Sequence, residues 1–215
     1  MSKIPSQKKI DLLLELYRSK RFDELEILAN NLTKEFPKHP SGWKVLGVVL
    51  KQKGKISESL IVGKKVIELN PDDAEAYFNV GNTLRQQKKL TEALIYYNKS
   101  IKLNSKYALA YNNLATTLRE LGRSEEAIGI YKKLILLIPS YAEAYNNLGV
   151  AFRDLNILEE AKKSYEKAIE LRPTYAAAYN NLGITLNALK KFEESVKNFK
   201  KAIDLNPAYA EAYNN

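Results

Sequence analysis

Residues 142–175 read AEAYNNLGVAFRDLNILEEAKKSYEKAIELRPTY, and the next 34 residues, 176–209, read AAAYNNLGITLNALKKFEESVKNFKKAIDLNPAY. Both segments contain AxAYNNLG near the start and KAIxLxP near the end. Prolines carry the same 34-residue period along the chain, with Ser105 in place of one of them: Pro37, Pro71, Pro139, Pro173 and Pro207. A fixed period of this length is typical of a helical repeat array rather than of one globular core.

The period divides the chain when this proline is placed at position 32 of each repeat. We predict an N-terminal tail at 1–5 and a degenerate first repeat at 6–39. Five further repeats follow, and a truncated one begins at the C-terminal end: 40–73, 74–107, 108–141, 142–175, 176–209 and 210–215.

Each repeat carries two helical faces. Positions 4, 7, 8 and 11 are apolar or small in most repeats, and this i, i+3, i+4, i+7 spacing describes one face of a helix. Positions 20, 24, 27 and 28 describe a second face. Small residues at positions 8 and 20 allow close helix packing, and large ones at positions 4 and 24 fill the remaining space. The pattern predicts an all-α solenoid of stacked antiparallel helix pairs.

Helix ends recur at fixed positions as well. Gly54 and Gly122 at position 15 suit a left-handed turn after the first helix, where other repeats have Lys20, Lys88, Asn156 and Lys190. The proline at position 32 is expected one or two residues past the end of the second helix.

These columns resemble the tetratricopeptide repeat (TPR) family, whose signature is W-x2-L-G-x2-Y, then A-x3-F-x2-A, then P. Repeat 142–175 matches it with Tyr145, Leu148, Gly149 and, later, Ala161 and Pro173. The first repeat departs from the signature, with Lys9, Leu12, Leu13 and Leu16 at its positions. The resemblance implies a right-handed superhelix whose first helices line a concave groove for a protein or peptide ligand.

Composition excludes several kinds of site. The chain of 215 residues has no cysteine, one histidine (His39), and nine glycines, none in a phosphate-binding loop motif. We predict no catalytic residues, metal site or cofactor, and expect His39 to be a solvated turn residue. Twelve of the fourteen tyrosines recur at positions 4, 24 and 34, where packing accounts for them.

Charge and hydropathy indicate the kind of partner. Lys and Arg exceed Asp and Glu by 34 to 25, a net charge of +9, but the cations are interleaved with acids along the whole chain. This pattern does not favour nucleic acid. No secretory signal or membrane-length apolar run is present, so we expect a cytoplasmic protein that does not bind membranes.

Asparagines form two rows on what we call the first-helix face, positions 2, 5, 6, 9, 12 and 13 of the first helices. Position 6 has Asn79, Asn113, Asn147, Asn181 and Asn215, and position 5 has Asn112, Asn146, Asn180 and Asn214 after Lys44 in the second repeat. Asparagine is a poor helix former, and its amide can pair with any peptide bond. The rows resemble the Asn ladder of O-linked N-acetylglucosamine transferase, which implies that they hold the backbone of an extended peptide.

A basic row lies beside the asparagines at position 12: Lys51, Arg85, Arg119 and Arg153. Its spacing suits acidic groups at about every third residue of an extended ligand. Glu120 and Asp154 at position 13 offer an alternative, in which they neutralise these cations. At the end of one second helix, Leu136 and Ile138 stand where other repeats are mostly polar, and we expect them to pack in the turn rather than form a contact patch.

Three functional hypotheses follow. The first is a non-enzymatic scaffold that binds an extended, acidic peptide in the groove. The second, since the sequence stops inside a predicted helix, is the substrate-recruiting part of a larger glycosyltransferase of the O-linked N-acetylglucosamine type. The third is self-association through an uncapped C-terminal end.

Overall fold

The computed structural model describes residues 4–207, which contain twelve α-helices. The helices are α1 (Gln7–Arg18), α2 (Phe22–Glu35), α3 (Pro40–Gln52), α4 (Ile56–Leu69), α5 (Ala74–Gln86), α6 (Leu90–Leu103), α7 (Ala108–Glu120), α8 (Ser124–Leu137), α9 (Ala142–Asp154), α10 (Leu158–Leu171), α11 (Ala176–Ala188) and α12 (Phe192–Leu205). The predicted all-α fold class is confirmed. Asn214 and Asn215 lie outside the described residues.

The chain forms two compact units, Met1–Ala110 and Tyr111–Asn215. In unit 1, α1 to α6 pack in sequence, each against the next. In unit 2, α8 to α12 do the same, and the first helices α9 and α11 also touch each other. No described helix combines the length and apolar character that a membrane crossing requires.

Glycine at position 8 is what lets the two helices of a pair come together. The ring of Tyr165 lies so close to Gly149 that a Cβ there would be 2.7 Å from Cε1 of the ring. Gly81 faces Tyr97 at 2.7 Å and Gly183 faces Phe199 at 2.6 Å in the same way. The predicted pairing of a small residue at position 8 with a large one at position 24 is therefore present in three repeats.

The turn between the two helices of a repeat has the predicted left-handed residue. Gly54 and Gly122 have φ of 74° and 75°. The residues that replace glycine keep the conformation, with φ between 57° and 62°: Lys20, Lys88, Asn156 and Lys190. The second helices end two residues before the prolines, as expected.

Two sequence-based expectations differ from the structure. His39 is not simply solvated: it precedes the first residue of α3, and its Nδ1 accepts a hydrogen bond from the Ser41 backbone N–H at 3.3 Å. Leu136 does not pack in its turn, since 82% of it is exposed, and Ile138 is 37% exposed. A helix only 14 residues long presents one face to its neighbours, and position 29 lies off that face.

Candidate functional site

Five asparagines at positions 5 and 6 of unit 2 are joined in one chain of hydrogen bonds. Between repeats, Asn181 Nδ2 donates to Asn146 Oδ1 at 3.0 Å, and Asn147 Nδ2 donates to Asn112 Oδ1 at 3.1 Å. Within repeats, Asn146 Nδ2 donates to Asn147 Oδ1 at 3.2 Å, and Asn112 Nδ2 donates to Asn113 Oδ1 at 3.5 Å. The amides at positions 5 and 6 therefore fasten one first helix to the next.

Burial separates the two rows in α9 and α11, whereas in α7 both Asn112 and Asn113 are half-buried. Asn146 and Asn180 are only 6% and 1% exposed. Asn113, Asn147 and Asn181 at position 6 are half-buried. Since a buried amide must be paired, position 5 has a structural role in α9 and α11, whereas position 6 keeps part of its surface exposed.

The basic row is partly neutralised within unit 2. Arg119 Nη1 lies 3.3 Å from Asp154 Oδ2, as the alternative to ligand contact predicts for this residue. Arg153 reaches into the next repeat instead, where its Nη1 donates to Asn181 Oδ1 at 3.4 Å. Among residues 4–207, no carboxylate lies within 4 Å of the Arg153 guanidinium. Arg153 is thus a cation set beside the position 6 amides.

In unit 1 the same face has a different composition. Lys44 forms an ion pair with Asp73, whose other carboxylate oxygen accepts from the first N–H groups of α5. Asn79 is exposed and Arg85 is half-buried. Lys51 is half-buried, and burial lowers the pKa of its ammonium group. Among the residues that the structure describes, no carboxylate lies within 4 Å of Lys51.

A pocket of about 490 Å³ opens between α1, α3, α4 and α5. Gly47 and Gly63 line it together with Val48, Val66 and Val80, and Lys51 stands beside them. Gly63 occupies position 24, where the later repeats have an aromatic ring. A Cβ at Gly63 would lie 2.8 Å from Val80 Cγ2, so Val80 takes part of that space, whereas a Cβ at Gly47 would have no atom nearer than Val62 Cγ1 at 3.5 Å. Sequence reasoning missed this pocket, although Gly63 was visible as the one glycine in the position 24 column.

Comparison with known families agrees with the repeat pattern. Models of the tetratricopeptide repeat match residues 72–135, 142–175 and 176–209, and a TPR repeat model matches residues 115–156. These matches run without a gap over more than half of the chain. Among curated proteins, none matches this sequence.

Solved structures with the same fold include three proteins of different character. PilW, described as a widely conserved type IV pilus biogenesis factor, has 17% identity and a TM-score of 0.85, with 98% of this chain and 99% of that chain covered. MamA has 26% identity and a TM-score of 0.70, covering 80% and 94%. YrrB, described as a TPR protein with an unusual peptide-binding site, has 22% identity and a TM-score of 0.68, covering 86% and 96%. They do not show the glycosyltransferase type of array that the Asn rows resemble.

Proposed function

Because this chain belongs to the tetratricopeptide repeat family, we propose that it is a protein-interaction scaffold and that unit 2 binds an extended peptide along its first-helix face. The ligand lies across α7, α9 and α11. The amides at position 6 pair with its backbone, and Arg153 attracts an acidic side chain.

The observation that carries this proposal is the unused bonding capacity of Asn147 and Asn181. A side-chain amide has two N–H donors and can accept two hydrogen bonds. Within the described residues, each of these two amides donates one bond and accepts one. One donor and one acceptor remain on a half-exposed group whose orientation is fixed by its neighbours, which suits the C=O and N–H of a peptide.

Spacing supports an extended ligand. Packed helices lie about 8–10 Å apart, and an extended chain rises about 3.3 Å per residue. Successive position 6 amides therefore meet about every third residue of the ligand. Recognition of the backbone at this interval tolerates many ligand sequences, and Arg153 supplies a preference for acid near one end of the row.

A peptide selection tests the proposal. Peptides of twelve residues are selected from a random library on the full chain, and the affinities of the best binders are measured by calorimetry for the native chain and for Asn147→Ala and Asn181→Ala. At about 0.5–1.5 kcal/mol for one hydrogen bond, each substitution is expected to weaken binding roughly 2- to 10-fold. N-methylation of the contacted peptide bonds is expected to weaken it in the same way.

Asn198→Ala is the matched control, because Asn198 lies on the second helix α12, away from the first-helix face, and donates to the Glu194 carbonyl of its own helix. It should leave the affinity unchanged. If the selected peptides bind Asn147→Ala and Asn181→Ala as tightly as the native chain, the position 6 amides are not the site.

A further inference from the structure

Unit 1 has a second recognition feature that the Asn rows do not explain. The later repeats fill position 24 with a buried ring, which faces the glycine at position 8 in three of them: Tyr97, Tyr131, Tyr165 and Phe199. Repeat 40–73 has Gly63 there and Gly47 at position 8. A Cβ on Gly47 would find its nearest neighbour, Val62 Cγ1, only at 3.5 Å, whereas a Cβ at Gly149 would collide with a ring.

The resulting pocket is too large to be a packing defect left by one missing side chain. Its volume of about 490 Å³ exceeds by far the roughly 150 Å³ of a cavity that holds benzene, and it falls within the range of about 300–1,000 Å³ for ligand sites. Leu14 and Tyr17 at its rim are 48% and 45% exposed. The apolar surface is therefore open to an incoming group.

The charged side chains at the pocket indicate which polar group a ligand carries beside its apolar group. Lys51 lines the pocket without a carboxylate partner among the described residues, while Lys44 at the rim is held by Asp73 and lies 3.8 Å from Glu75. A half-buried ammonium without a counter-ion favours a ligand carboxylate beside the apolar group. Val45 replaces asparagine at position 6 in this repeat. The repeat therefore binds a side chain of the ligand rather than its backbone.

We propose that this pocket binds the aromatic side chain of an extended partner peptide in which an acidic residue precedes the aromatic one. The ring enters the pocket beside Gly47, where an added Cβ would have no atom nearer than 3.5 Å, and contacts Val48, Val66 and Val80. The neighbouring carboxylate meets Lys51. This inference deepens the proposed peptide-binding function, but it uses other residues, all of them in unit 1.

Capped dipeptides test the pocket without the Asn rows of unit 2. The probes are N-acetyl-Asp-Phe-amide, its neutral isostere N-acetyl-Asn-Phe-amide and its truncated form N-acetyl-Asp-Ala-amide, titrated into the full chain and followed by NMR. We expect saturable shifts at the Gly47 and Gly63 amides and the Val80 methyls with N-acetyl-Asp-Phe-amide. Affinity should fall at least 3-fold with the neutral isostere and below detection with the alanine form.

Two variants identify the pocket as the origin of these shifts. Gly47→Leu fills the space and is expected to abolish the shifts, while Gly129→Leu, on an exposed helix position with no atom within 4 Å of a Cβ, is expected to leave them intact. Lys51→Met should make the acidic and neutral probes bind equally. Absence of shifts at Gly47 and Gly63, or persistence of the Gly63 and Val80 shifts in Gly47→Leu, would overturn the inference. Loss of peptide binding in Asn147→Ala concerns unit 2 and leaves this result standing.

Discussion

At the scale of single residues, the buried tyrosines at position 24 differ in what their hydroxyl groups meet. Tyr97 donates to Asn82 Oδ1 at 2.8 Å, and the Tyr131 hydroxyl lies 2.9 Å from Thr116 Oγ1. Both partners are at position 9. Tyr165 has Val150 at that position, and its hydroxyl is buried with no hydrogen-bond partner among residues 4–207. The residue at position 9 therefore determines whether the tyrosine hydroxyl at position 24 has a hydrogen-bond partner.

Tyr165→Phe is expected to stabilise the protein. The substitution removes a buried hydroxyl whose desolvation costs about 1–3 kcal/mol and keeps the ring against Gly149. Chemical denaturation should show a gain of about 1 kcal/mol in the free energy of unfolding. Tyr131→Phe, which loses its bond to Thr116, is the comparison and should lose about 1 kcal/mol. Equal losses in both variants would mean that Tyr165 has a partner.

The same hydroxyl predicts how stability depends on alkaline pH. Burial raises the pKa of the Tyr165 phenol well above its ordinary value of 10. The unfolded chain loses this proton near pH 10, whereas the folded chain keeps it. The titration of Tyr165 therefore leaves the free energy of unfolding unchanged below pH 10 and lowers it as the pH rises towards the folded pKa. Unfolding free energies measured between pH 8 and 11 should fall less steeply in Tyr165→Phe than in the native chain. An identical slope would contradict this assignment.

At the scale of helices, position 8 has room for an added methyl group in repeat 40–73 but not in repeat 142–175. At Gly149 an added methyl group would lie 2.7 Å from the Tyr165 ring, whereas at Gly47 it would make an ordinary van der Waals contact with Val62 Cγ1 at 3.5 Å. Gly149→Ala is expected to destabilise the protein by about 1–3 kcal/mol, because a filled site cannot accept a further carbon. Gly47→Ala is expected to stabilise it by about 0.5–1 kcal/mol, because alanine is the better helix former. Thermal and chemical unfolding of the pair test this, and a shift of the same sign in both would refute it.

The stability that asparagine hydrogen bonds between neighbouring first helices contribute can be measured at position 5. Asn146 accepts from Asn181 and donates to Asn147, and it is nearly fully buried. Asn146→Ala breaks both bonds and should cost about 1–3 kcal/mol of stability. Asn187→Ala, on an exposed position of α11, should change stability by less than about 0.5 kcal/mol. If the two variants unfold at the same denaturant concentration, the amide chain does not hold the repeats together.

Structural features that recur with the 34-residue period could be predicted from the sequence, and features confined to one repeat could not. Helix faces and left-handed turns recur along the described repeats, so the sequence alone located Gly54, Gly122 and the lysines and asparagine that replace them. The asparagine rows also recur, but periodicity cannot tell a bond between helices from a bond to a ligand, and the bonds of Asn146 to Asn147 and Asn181 became visible only in the structure. The pocket lies at Gly63, where the sequence departs from the repeat pattern. A consensus of the repeat columns does not reveal such a departure.

At the scale of the whole molecule, excess positive charge attracts any acidic peptide. The chain carries a net charge of +9, spread along its length. Such a field raises association rates at low salt for many ligands and falls off over a Debye length of about 8 Å at physiological ionic strength. Acid preference measured at one salt concentration therefore mixes the general field with any local contact.

Matched neutral substitutions separate these two contributions. Arg153→Gln and Lys200→Gln each lower the net charge by one, but Arg153 lies beside Asn181, whereas Lys200 is exposed on the second helix α12. For acidic peptides from the library selection, we expect Arg153→Gln to weaken binding roughly 3- to 10-fold and to flatten its salt dependence, since a charge-assisted contact contributes about 1 kcal/mol or more. Lys200→Gln should lower affinity only slightly and keep the native salt slope. Calorimetry at three salt concentrations measures both quantities. Identical behaviour of the two variants would assign the acid preference to net charge alone and remove Arg153 from the site.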